Sequence, residues 1–105
     1  MTNVNQHQMP LQHAIDDAEK AILIADDAVI TVRQAQLESN PQKLSSSIQK
    51  LEMAQRTVEQ SQSELNAHLN DATRQELQQI QDQLAQASQS IHEVSNHTHL
   101  PKQVR

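Results

Sequence analysis

The sequence predicts an all-α fold, an antiparallel up-down-up three-helix bundle with helices over residues 10–38, 41–69 and 73–95 and short polar tails. Three observations predict it. Apolar side chains recur at alternating steps of three and four residues in three separate stretches, the spacing of one face of a helix. The breaks between them, Glu38-Ser39-Asn40-Pro41 and Asn70-Asp71-Ala72-Thr73, carry helix-start chemistry. Glycine, phenylalanine, tyrosine and tryptophan are absent, whereas strand-rich folds depend on turn glycines and aromatic side chains.

The first helix has to pass through Ala21–Val32, AILIADDAVITV, which at first sight reads as two strands about an Asp-Asp turn. The periodicity decides against a hairpin. Leu11, Ile15, Ala18, Ile22, Ala25, Val29 and Val32 keep one heptad phase through Asp26-Asp27, and a hairpin would need positive φ at the turn, for which Asp-Asp is poorly suited. Pro10 fits a first helical turn, so residues 1–9 are expected to be a loose N-terminal segment.

The second helix opens on Asn40, a good N-cap, and Pro41, a good first helical residue. Its apolar positions are Leu44, Ile48, Leu51, Val58, Leu65 and Leu69. Gln55 and Gln62 stand where the heptad asks for core residues, with small Ala54 and Ser61 beside them, so this seam is the weakest. At Asn70-Asp71-Ala72 the heptad slips by one residue. Thr73-Arg74-Gln75-Glu76 then has the form of a capping box, with Ala72 and Leu77 placed as a hydrophobic staple. The third helix carries Leu77, Ile80, Leu84, Ala87, Ile91 and Val94 and is expected to fray near Ser95-Asn96, since Pro101 bars continuation. Short connections make neighbouring helices antiparallel. The rival arrangement joins the second and third helices into one. Residues 10–96 thus form a single domain, and 97–105 a flexible tail.

Composition narrows function by exclusion. A formal net charge of -5 argues against nucleic acid, whose phosphates call for a basic surface, and against an anionic membrane. No apolar run approaches the roughly 20 residues of a spanning helix, and the N-terminus lacks the charged-then-apolar order of a signal peptide; a cytoplasmic protein is expected. Without cysteine there is no disulfide or thiolate ligand. The core must be built from aliphatic residues, each contributing about 1.5–3 kcal/mol when buried against a backbone entropy cost of about 1–2 kcal/mol per residue. Association with another chain would add to that. The abundant glutamines of QELQQIQDQLAQASQ keep off the heptad positions and read as a solvated helix surface.

Candidate sites are few. His92, His97 and His99 give H-x4-H-x-H, and neutral imidazoles suit zinc, copper or nickel. But His92 would lie on the helix and the others in the tail, with no carboxylate or thiolate to complete a geometry. No metal and no cofactor is therefore expected; a small metal- or ligand-binding protein using these histidines is the alternative reading. Glu64 with His68 and Glu93 with His97 are i,i+4 pairs near helix C-termini, in the order that supports a helix. Two of Ser45-Ser46-Ser47 must point away from the core and read as a polar helix surface, so no catalysis is expected.

The first helix departs from a plain bundle. Ala14, Ala21, Ala28 and Ala35 repeat every seven residues, which lets another helix approach closely, and on the opposite flank Leu23, Ile30 and Leu37 repeat every seven as well. The same three-helix core cannot easily bury this second stripe. Long neighbouring side chains or the termini would cover it in part; a second chain would cover it fully. Asp26, amid Ile22, Leu23, Val29 and Ile30, would then have to meet a cation. One symmetric arrangement centres on residue 26, setting Glu19 against Arg33 and Ile22 against Ile30 of a second copy, with the two Asp26 carboxylates together. The expectation is a non-enzymatic interaction or structural adaptor protein that uses helix 1 through Glu19, Leu23, Asp26, Ile30, Arg33 and Leu37, with a protein partner or a homodimer and neither nucleic acid nor membrane.

AIDDAEKAILIA in the first helix, NPQKLSSSIQKLEMAQRTVEQS in the second and NDATRQELQQIQDQL across the second turn cover most of residues 14–84. On these stretches the chain resembles the small uncharacterised helical-bundle proteins of Bacillus-type Firmicutes. The resemblance implies a small cytoplasmic bundle and carries over no catalytic residue, cofactor or partner.

Overall fold

The computed structural model describes the backbone of residues 2–97 and the side chains of residues 10–97. Three helices follow one another: α1 over Thr2–Glu38, α2 over Pro41–Ala67 and α3 over Arg74–Asn96. All three pairs pack together, in a rod of 58 × 22 × 21 Å. Contacts between helices fix the up-down-up order. Lys43 Nζ reaches Glu38 Oε1 at 2.8 Å at one end, and at the other Gln81 Nε2 donates to Asn66 Oδ1 at 3.1 Å. Gln55 on α2 meets His92 on α3 in between. Among the described residues no helix is long and apolar enough to cross a membrane.

α1 starts at Thr2, well before Pro10, which lies inside the helix. Pro10 therefore removes one internal hydrogen bond, the one its N–H would have given the Gln6 carbonyl. Residues 2–9 carry too few apolar residues for a periodic stripe, so the sequence pattern could not mark them as helical. α1 has 37 residues and α2 27. At about 1.5 Å per residue the difference is roughly 15 Å, and the first turns of α1 run past the end of α2.

The first turn forms as its sequence predicts. Asn40 adopts extended φ/ψ, and its Oδ1 accepts from the backbone N–H of Gln42 at 3.0 Å and Lys43 at 3.2 Å, with Pro41 opening the helix. Ser39 before it takes the left-handed conformation, φ 55. Glycine normally fills that position at a helix C-terminus; in a glycine-free chain serine does so at a steric cost.

The second turn is built differently. α2 ends at Ala67, two residues early, and leaves Leu69 in the connection. The capping box does not form: Thr73 has helical φ/ψ and makes no side-chain cap. Its hydroxyl turns back, donating to the His68 carbonyl at 2.8 Å and accepting from the Asn70 N–H at 3.0 Å. Asn70 Oδ1 in turn accepts from the N–H of Ala72 and Thr73. This Asx turn satisfies the backbone through the reversal and keeps α2 and α3 separate. Ala72 stays exposed.

The core is divided unequally. α3 buries its six heptad residues, Leu77, Ile80, Leu84, Ala87, Ile91 and Val94. α2 buries Leu51, Val58 and Leu65 together with Ser47, Ala54 and Ser61. α1 buries mostly alanine: Ala14, Ala18, Ala21, Ala25 and Ala28 are at most 1% exposed. Small residues at seven-residue spacing are buried on both α1 and α2, and these two helices share the most extensive contact of the three pairs. The alanine stripe of α1 is thus buried within the chain. Ser47 meets its polar requirement locally, Oγ donating to the Leu44 carbonyl at 2.9 Å.

Candidate interaction surface on the first helix

Burial of the alanine stripe fixes which way α1 faces. Leu23 and Ile30 each stand two residues before a buried seam residue, Ala25 and Val32, which is about 160° around the helix axis. They point outward. Leu23 is 68% exposed, Ile30 53% and Leu37 86%, so the second stripe is bare on the single chain. Neither long side chains of α2 and α3 nor any other described segment covers it.

Glu19, Asp26 and Arg33, again seven apart, flank the stripe on the side toward α3, and all three are exposed. None of them makes an ion pair or side-chain hydrogen bond among the described residues. Asp27 and Thr31 flank it on the side toward α2. Asp27 forms an ion pair with Lys50, whose Nζ also donates to Thr31 Oγ1 at 3.5 Å. This pair is solvent-exposed and contributes about 0–1 kcal/mol; it follows from the register of α1 against α2. Three residues back from Asp27 and three on from Lys50 lie Ile24 and Met53, two more exposed apolar residues on the α1/α2 edge.

The histidines do not converge. His92 lies on α3 and His97 caps its C-terminus; five residues on a helix separate side chains by about 140°. His99 lies outside the described residues. Among the described residues no group of three or more histidine, aspartate or glutamate side chains is placed to hold a metal ion. Of the three serines, Ser47 is buried and Ser46 exposed.

Glu64 shows what one sequence cannot reveal. Its i,i+4 partner His68 is on the same helix, but the antiparallel register also brings Asp17 and His13 of α1 against it. Partial burial, and next the Asp17 carboxylate within hydrogen-bonding reach, push Glu64 above the ordinary glutamate value of 4.5, while His68 and His13 oppose the shift. A raised pKa means that the folded chain keeps a proton which the unfolded chain has lost, so this contribution is full below the ordinary glutamate range and is lost as pH rises through the raised value. Glu64→Gln should remove it. The melting temperature of the variant relative to wild type should climb as pH rises from about 4 through that range; a constant difference across pH would contradict the assignment.

With this geometry established, no protein-family model matches the chain, and no curated protein or solved structure is significantly similar to it.

Proposed function

We propose that the protein is a non-enzymatic interaction module, in which the α1/α2/α3 bundle is a scaffold and the outer face of α1 docks another polypeptide. One observation carries this reading. A helix whose inward face is met by α2 and α3 still exposes Leu23, Ile30 and Leu37 in line, and a linear apolar stripe with polar flanks fits the face of a second helix.

The test is capture of binding proteins from cells of the source organism by the wild-type chain and by Leu23→Glu/Ile30→Glu, with Met53→Glu as control. Both altered positions are solvent-exposed, so circular dichroism should show an intact bundle. Binding retained by Met53→Glu and lost in the double variant is the expected result. Equal capture by all three would refute the assignment of this face.

A further inference from the structure

We propose that the occupant of the α1 outer face is a second copy of this chain, docked antiparallel about a two-fold axis at Ile30. The inference rests on the interaction reading above and names the partner. The exposed stripe has three members, and Ile30 is the middle one. A two-fold axis at Ile30 sets Ile30 against Ile30, and Leu23 of each copy against Leu37 of the other. All six side chains are exposed in the single chain, so all are available.

Charge selects this register from its competitors. A two-fold axis brings each flank of the stripe against the same flank of the other copy. On the flank toward α3, Asp26 stands four residues before Ile30 and Arg33 three after. In the antiparallel copy Arg33 therefore falls about one residue, roughly 1.5 Å along the axis, from Asp26, and the pair forms twice. Both groups lack an ion-pair partner within the chain among the described residues. A parallel pair would set each flank against the opposite one, leaving Asp26 level with Asp27 of the other copy. The register centred on residue 26 would bring the two Asp26 carboxylates together and would need Ile22, which is packed against the bundle's own core. Glu19 lies beyond the paired stretch in the register about Ile30.

The contact runs from Leu23 to Leu37, about 21 Å of helix. That is less than a standard interface of about 1,600 Å² requires, so the dimer is weak and reversible, with a dissociation constant in the micromolar range or above. Sedimentation equilibrium of the full chain from about 10 μM to 1 mM should show the average mass rising from monomer toward dimer.

Asp26→Arg alone and Arg33→Asp alone should each weaken the dimer about tenfold by placing like charges together, and the double variant Asp26→Arg/Arg33→Asp should restore it. Because the chain has no cysteine, Ile30→Cys should oxidise to a covalent dimer efficiently. Leu23→Cys alone should do so poorly, but a mixture of Leu23→Cys and Leu37→Cys chains should join. A strict monomer at 1 mM, or failure of the charge swap to rescue, overturns the self-pairing. Loss of self-pairing with stripe-dependent capture of another protein would leave the interaction reading standing; loss of both would overturn that as well.

Discussion

Leu84→Ala is expected to cost about 2–5 kcal/mol of folding stability and to lower the melting temperature by about 10 °C or more. Leu84 is fully buried near the middle of α3. The rest of the core has little capacity to close over the space it would leave. α1 buries mostly alanine, whose methyl group cannot swing into a void. The large fully buried residues are Leu65, Leu77, Leu84, Val32 and Val58, so removing one takes a large share of what holds α3 down. Met53→Ala, a truncation of an exposed side chain on α2, should change stability by no more than about 0.5 kcal/mol. Chemical denaturation of both variants followed by circular dichroism at 222 nm measures the difference; equal, small effects would mean that the core is not where the packing places it.

Ala21→Leu is expected to destabilise the bundle by about 1–3 kcal/mol for the opposite reason. Ala21 is fully buried on α1, and α2 carries the buried small residues Ser47, Ala54 and Ser61. Close approach depends on those residues being small. Three added carbon atoms must either push the helices apart along the seam or force strained rotamers. Leucine is nearly as good a helix former as alanine, so Ala85→Leu, on the exposed side of α3, should leave stability nearly unchanged. Thermal melts of the two variants separate seam packing from helix propensity. Wild-type stability in Ala21→Leu would show that α1 and α2 do not depend on close approach.

Much of the fold can be read from the sequence because several signals agree. Leu77 through Val94 follow an unbroken heptad and all six residues are buried. Asn40 and Pro41 define a start that no other local chemistry contests. The outward stripe of α1 was legible as well, since two apolar stripes on one helix cannot both face one core. What failed to read across was chemistry with two possible outcomes. Thr73-x-x-Glu76 is a capping signal only if the Thr73 hydroxyl points forward; Asn70, three residues earlier, offered the backbone a competing turn. Pro10 suits a first turn and is also tolerated further in. Contacts between helices were beyond reach for a different reason. Asp27 with Lys50, and Glu64 with Asp17 and His13, depend on the register between α1 and α2, which no periodicity within one helix encodes. The two runs of small residues were each visible, but that both are buried within the chain was not.

The alanine-lined inner face of α1 has a consequence for rotamer freedom. A buried alanine surrenders no rotamer entropy, whereas an ordered leucine or isoleucine gives up about 0.5–1 kcal/mol. The buried alanines of α1 therefore pack with no side-chain ordering, while three of its bulky members, Leu23, Ile30 and Leu37, stay on the outside. Side-chain freedom that most helices lose on folding is retained here, to be lost only when that outer face is covered.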